Sequence, residues 1–170
     1  MKKTVTALSR GMLVTALAAG GILVAGNPAT AAQPAGTAGT PINACSPTQK
    51  KEFATSGYNT DVRIKLCVVP RTGGWLVSAD GGWTDGGGVR KFDNFDIQVR
   101  LERNDKDVLV SLCDMTAEIN RLSYGRIQCQ TKIHKTENQK GLSADGKVLY
   151  DLDADGAGGY TWALTGSPRL

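Results

Sequence analysis

The sequence predicts an all-β domain, a small antiparallel β-sandwich or barrel with one short N-terminal helix and two disulfides. Three observations indicate this fold: apolar and polar residues alternate in several short runs, turn-forming residues separate the runs, and four cysteines follow an apolar N-terminal segment. Alternation with a period of two residues is typical of strands that bury one face. Because turns rather than helices join the runs, we expect the strands to be antiparallel.

The clearest strand pattern lies in the middle of the chain. Residues 95–102 alternate strictly, with apolar side chains at the odd positions. A polar turn at 104–107 follows, and residues 108–113 resume an extended, mostly apolar run. Residues 126–133 form a third alternating segment, which carries Cys129. We therefore expect three strands here, of which the second and third are neighbours.

Further strands are predicted on both sides of this region. Residues 61–69 alternate and are followed by Pro70, which ends the predicted strand. Residues 136–146 are polar and turn-like, whereas 147–153 and 160–165 alternate again. The predicted fold thus has seven or eight short strands, counted from these patterns.

Two segments depart from the strand pattern. Residues 46–54 carry helix-start signals, with Ser46 as a cap, Pro47 at the first helical position and Gln49 closing a capping box. Residues 71–89 are punctuated by glycines, which predicts loops and turns with only short strands beside the two tryptophans.

The N-terminus has the layout of a secretory signal peptide. Basic residues precede an uncharged apolar run at 12–24, which is too short to span a bilayer, and small residues suit cleavage before Ala32. We predict a signal peptide at 1–31, a flexible tail at 32–43 and a single β-rich domain at 44–170. The protein is expected to be secreted and extracellular, with no membrane anchor.

The charge of the mature chain restricts its partners. Loss of the signal peptide leaves 17 Lys and Arg against 16 Asp and Glu, a net charge of +1 rather than +4. Nucleic acid is therefore not an expected partner, because a small excess of charge releases few counterions from a phosphate backbone. We expect an extracellular carbohydrate or protein partner, and a monomer.

Four cysteines predict two disulfides in a secreted chain. Three connectivities are possible, and we favour Cys45 with Cys67 and Cys113 with Cys129, because the second pair lies on runs expected to be neighbouring strands. Each bridge would close a loop of about twenty residues and contribute roughly 3 kcal/mol.

The first candidate binding site is aromatic. Trp75 and Trp83, with Tyr58 or Tyr124, would form a platform on glycine-rich loops that receives the apolar faces of a sugar. The alternative is that both indoles pack in the core, as is usual in small β-domains.

The second candidate site is a calcium loop. Asp151, Asp153 and Asp155 have the alternating carboxylates of an EF-hand-type start, followed by a glycine. The twelfth position is Trp162 rather than a bidentate glutamate, so the alternative is the solvated face of a β-hairpin. Ca²⁺ is the one cofactor that the sequence suggests, and its binding is expected to be weak.

Pro70 and Arg71 close the segment that begins at Cys67, and this segment suits the reactive loop of a protease inhibitor. The alternative is that Pro70 only ends a strand.

Basic residues near the third central strand suggest a contact with an anionic polymer. The alternative is ordinary surface charge. These residues are Arg121, Arg126, Lys132, Lys135 and Lys140.

No enzymatic motif occurs, and the one histidine, His134, lies between Ile133 and Lys135 on an exposed side. The sequence therefore favours a secreted, non-catalytic binding module for a carbohydrate or cell-surface ligand. A protein-directed module such as a protease inhibitor is the alternative, and a small secreted hydrolase is third.

Overall fold

The structure of the protein, a computed structural model, describes residues 43–85, 90–153 and 155–170. The predicted signal peptide lies outside these ranges, as does the predicted tail apart from its last residue. Within the described ranges, no helix has both the length and the apolar character needed to cross a membrane.

The described residues form mainly β-strands. In chain order the elements are β1 (Ala44–Cys45), β2 (Gln49–Phe53), β3 (Thr60–Arg71), β4 (Gly74–Asp85), β5 (Phe92–Arg103), β6 (Lys106–Asp114), α1 (Thr116–Arg121), β7 (Tyr124–Gln130), β8 (Leu142–Leu152) and β9 (Tyr160–Leu164).

These strands make two antiparallel sheets. Sheet A has five strands, in the order β1-β3-β4-β7 with β2 also paired to β3, and sheet B has four, in the order β6-β5-β8-β9. The predictions of a mainly β chain, antiparallel pairing and two disulfides are confirmed.

One buried hydrophobic cluster draws on both sheets. The odd-numbered positions 95–101 of β5 are fully buried, as the alternation predicts. From sheet A, the ring of Phe53 contacts sheet B edge-on, with its centroid 5.4 Å from that of Phe92 and 5.7 Å from that of Phe95. Burial of each such ring contributes roughly 1.5–3 kcal/mol.

Both disulfides join the favoured partners. Cys45 and Cys67 are directly opposite on β1 and β3, with Cα atoms 4.0 Å apart. Cys113 and Cys129 lie on β6 and β7, with Cα atoms 5.9 Å apart. The expectation of neighbouring strands for the second pair is wrong, because that bridge joins sheet B to sheet A. Two disulfides indicate an oxidising environment.

The predicted N-terminal helix at 46–54 is wrong, because most of this segment is strand β2, paired along its length with β3. Ser46 Oγ accepts a hydrogen bond from the Leu66 N–H at 3.0 Å instead of capping a helix. The Gln49 side chain bonds the Thr165 backbone, donating to its carbonyl at 3.0 Å and accepting from its N–H at 2.5 Å. Tertiary pairing thus overrides local capping signals.

The glycine-rich segment also differs from its prediction. Instead of loops with short strands, β4 is continuous over 12 residues, and Pro70 lies inside β3 rather than after it. A Cβ atom on Gly81 would lie 1.9 Å from the Arg63 carbonyl oxygen. The glycines therefore permit close strand approach, a role that composition does not distinguish from turn formation.

Helix α1 lies where the sequence predicted none. Asp114 Oδ1 accepts a hydrogen bond from the Thr116 N–H at 2.8 Å, and Thr116 Oγ1 accepts one from the Phe95 N–H at 2.9 Å. The buried Ile119 side chain anchors the helix to the core. The prediction of a turn at 136–146 is also partly wrong, because β8 begins inside that segment.

Candidate functional site

A row of basic residues crosses the outer face of sheet A. Lys50 on β2 lies opposite Arg63 on β3, Arg63 opposite Gly82 on β4, and Gly82 opposite Arg126 on β7. Opposed residues of antiparallel strands share a face, so these four positions project together. They project away from the core, because the adjacent Val62 is buried. At about 4.8 Å per strand, the row spans roughly 14 Å.

A groove of about 280 Å³ lies over part of this row. Its lining residues include Lys50, Arg63 and Gly82 and also Asp61, whereas Arg126 continues the row outside the lining. Gly82 is buried and has no side chain. A Cβ atom there would lie 2.6 Å from the carbonyl oxygen of Gly125, which leaves no room for a larger residue. We call this site, defined by Lys50, Arg63, Gly82 and Arg126, the basic groove.

The positive charges of the basic groove lie outside the ion pairs of the described chain. No described carboxylate lies within 4.0 Å of the charged atoms of Lys50, Arg63 or Arg126. The acidic residues Asp61 and Asp80 of this face lie in the adjacent rows, and Asp61 also lines the groove. The row therefore presents three cations outside the ion pairs of the described residues, with one carboxylate in the same groove.

Exposed tyrosines lie at one end of the basic groove. Tyr124 is 76 % exposed and lies opposite Thr84 on the same face. Tyr58 is 65 % exposed and precedes β3, at the end of sheet A where Thr84 and Tyr124 pair. Exposed phenol rings offer an apolar surface and a hydroxyl, which suits contact with a sugar.

The two tryptophans of the predicted sugar-binding platform do not form a shared surface. Trp83 is 2 % exposed, and its Nε1 donates a hydrogen bond to the Leu122 carbonyl at 3.2 Å. Trp75 is partly buried against the core and exchanges backbone hydrogen bonds with His134. Both lie at core-facing positions of β4, roughly 26 Å apart along the strand. The joint platform is therefore wrong, since Trp83 is a core residue.

The three predicted calcium ligands contact different groups, although the charges of Asp155 and Asp151 both raise the pKa of Tyr160. Asp153 Oδ1 forms an ion pair with Arg90 Nε at 2.8 Å, and Asp155 Oδ1 accepts a hydrogen bond from the Ala157 N–H at 2.8 Å. Asp151 Oδ1 is buried and accepts no hydrogen bond among the described residues. No set of three metal-ligating side chains assembles within the described ranges, so calcium stays a prediction from the sequence alone.

Pro70 and Arg71 lie at the tip of the β3–β4 hairpin. Arg71 lies opposite Gly74, so only Thr72 and Gly73 form the turn, with Gly73 at φ +80°. The Arg71 side chain is exposed, and its Nη1 donates to the Pro70 carbonyl at 3.1 Å. The predicted inhibitory segment is thus a short hairpin tip, which presents an arginine four residues after Cys67 on the same strand.

An acidic cluster that the sequence did not indicate lies on the outer face of sheet B. Arg100 Nη2 contacts Asp145 and lies 3.4 Å from Glu102 Oε1, and Arg100 Nε lies 3.6 Å from Asp107 Oδ1. Burial, followed by the negative charge of Asp145, raises the pKa of Glu102. The single positive charge of Arg100 is thus shared among carboxylates of β5, β6 and β8, which links the three strands.

The basic groove is therefore the site that sequence reasoning missed as a unit. Arg126 was noted for its charge and Tyr124 for its ring, but the groove depends on register across four strands. Comparison with protein-family models, with curated proteins and with solved structures finds no match for this chain.

Proposed function

We propose that this protein is a secreted, non-catalytic binding module that holds an anionic polysaccharide of the cell surface or extracellular matrix in the basic groove. The observation that carries the proposal is the alignment of Lys50, Arg63 and Arg126 on one face, without ion-pair partners in the described chain. Carboxylate, sulfate or phosphate groups along a polymer would pair with these cations in turn.

The exposed tyrosine beside the row supports a sugar polymer over a simple anion. Tyr124 offers its exposed ring beside Arg126, so one sugar unit would stack while the next pairs its charge. A protein of small net charge holds such a polymer locally, without the strong attraction to nucleic acid of a highly basic surface.

Binding to polygalacturonate and to heparin, with neutral dextran as the uncharged control, tests the proposal by calorimetry. The triple variant K50Q/R63Q/R126Q removes contacts worth about 0.5–1 kcal/mol each, which weakens binding by roughly 10- to 100-fold. The matched control R71Q/K106Q/R169Q removes the same charge from exposed residues outside the basic groove and outside the basic set at 121–140, and it retains most of the affinity. Equal losses in both variants, or no binding by the native protein, would contradict the proposal.

A second candidate function is protease inhibition, favoured by the exposed Arg71 at the β3–β4 hairpin tip. An arginine held at the end of a tight hairpin loses little entropy when it enters the pocket of a protease that cleaves after basic residues. Trypsin-like activity measured with and without the protein tests this function. Inhibition that R71A abolishes supports it, whereas unaffected protease activity eliminates it.

The architecture and processing are part of the same proposal. We propose that the signal peptide is cleaved after residue 31, that 32–43 form a tail, and that the sheets stack as one β-sandwich domain over 44–170. The shared core cluster and the Cys113–Cys129 bridge between sheets support stacking. N-terminal sequencing of the exported protein tests the cleavage site.

A further inference from the structure

Strand β6 forms an edge of sheet B and carries exposed apolar side chains. Among the described residues β6 pairs with β5 alone, so its other backbone edge has no strand partner there. Val110 is 50 % exposed and Leu112 is 56 % exposed, while the alternate residues Leu109 and Cys113 pack against the core cluster. An edge with this composition is a template for another strand.

We propose that β6 pairs with β6 of a second copy of this chain, in an antiparallel two-fold dimer. Directly opposed residues of antiparallel strands lie on the same face of a sheet. The two-fold axis must therefore place one residue of β6 directly opposite the same residue of the other copy. An axis at a point between two residues would oppose side chains from different faces.

A bulge limits the choice of residue at the axis. Leu101 of β5 lies opposite Leu109, whereas the next residue of β5 lies opposite Asp107, so Val108 is the extra residue. Regular geometry resumes at 109 and continues to Asp114, the end of β6, so its midpoint lies between residues 111 and 112. Of these two, residue 111 is selected by the match of the exposed apolar side chains.

Pairing about Ser111 makes the edge complementary to itself. Val110 of each copy then faces Leu112 of the other, so the two exposed apolar side chains of β6 cover each other twice. Residues of β6 alone supply both sides of this apolar contact. The edge therefore favours a second copy of the chain over an unrelated strand. Each β6 is used once in such a two-fold contact, so assembly stops at the dimer.

The interface is small. Five opposed residue pairs with four apolar side chains fall below the roughly 1,200 Å² of a stable complex, so a weak dimer with a dissociation constant near 100 µM is expected. Sedimentation equilibrium of the native protein, with both disulfides formed, measures this dissociation constant over protein concentrations from about 10 µM to about 500 µM.

Three variants test the contact and its register. V110K/L112K places like charges together and raises the dissociation constant at least roughly tenfold. V110K/L112E restores association, because pairing about Ser111 brings the lysine at 110 against the glutamate at 112 of the other copy. Pairing about Val110 would instead oppose lysine to lysine. I133K, a lysine at an apolar position 43 % exposed outside β6, leaves the dimer unchanged.

A native protein that is monomeric up to the highest concentration overturns the proposal, and this includes the case in which another segment of the chain covers β6. Dimerisation that V110K/L112K does not weaken overturns it as well. A native dimer that V110K/L112E fails to restore overturns pairing about Ser111. Far-ultraviolet circular dichroism of each variant verifies that the fold is retained.

Discussion

Replacement of Lys91 by methionine is expected to destabilise the protein severely, because it removes a buried ammonium that pairs with a buried carboxylate. The Lys91 and Asp85 side chains are 1 % and 0 % exposed, and Lys91 Nζ lies 2.6 Å from Asp85 Oδ2. The same ammonium donates to the Ile119 and Leu122 carbonyls at 2.5 and 3.1 Å, at the end of α1.

The magnitude follows from these contacts. Breaking a buried ion pair by removing one partner costs about 3–5 kcal/mol, and the Ile119 carbonyl, which loses this donor, adds about 1 kcal/mol. The Leu122 carbonyl keeps the hydrogen bond from Trp83 Nε1. We therefore expect K91M to lose at least about 4 kcal/mol of the roughly 5–15 kcal/mol that stabilises a domain of this size. The double variant D85N/K91M should recover part of this loss, because it removes the buried negative charge together with the ammonium.

Equilibrium unfolding in guanidinium chloride, followed by tryptophan fluorescence with the disulfides intact, measures the loss. The control is R169M, which breaks the pair between Arg169 and Asp105, whose side chains are 52 % and 73 % exposed. An exposed pair contributes under about 1 kcal/mol. A K91M protein as stable as R169M would refute the assignment of Lys91 as a buried structural cation.

Three other predictions concern single side chains. G125A places a Cβ atom within 2.2 Å of the Trp83 ring, so we expect a loss of about 1–3 kcal/mol and red-shifted fluorescence. The hydrogen bond from Thr116 lowers the pKa of Asp114, so D114A should lose about 1 kcal/mol at neutral pH, a difference that disappears as pH falls through the lowered pKa. Burial raises the pKa of Glu102, so the native protein should lose stability as pH rises through that pKa; E102Q should abolish this dependence in melting curves.

Much of the scaffold was predictable because the alternation of neighbouring residues indicates which face of a strand is buried. The alternation at 95–102 identified the buried face of β5, and the apolar run after it identified β6. The positive φ angles of Asn104 and Asp105, at 52° and 61°, suit the predicted turn. These features depend on side chains two residues apart and on turn formers, which a sequence displays directly.

The errors arose where distant chain segments decide the outcome. Ser46 and Gln49 have the types and spacing of a capping box, yet they bond Leu66 and Thr165 across the fold. The glycines of β4 predicted turns, but Gly81 is there because the neighbouring backbone approaches closely. Neither partner can be identified from the local segment.

The sequence by itself determined the β character, the alternating core of β5 and four cysteines suited to two bridges. Only the tertiary structure decided that the second bridge joins the two sheets, that Trp83 lies in the core, and that Lys50, Arg63 and Arg126 share one row. The physical reason is register. A period of two residues states which side chains share a face of one strand, but the alignment of four strands depends on contacts between residues far apart in the chain.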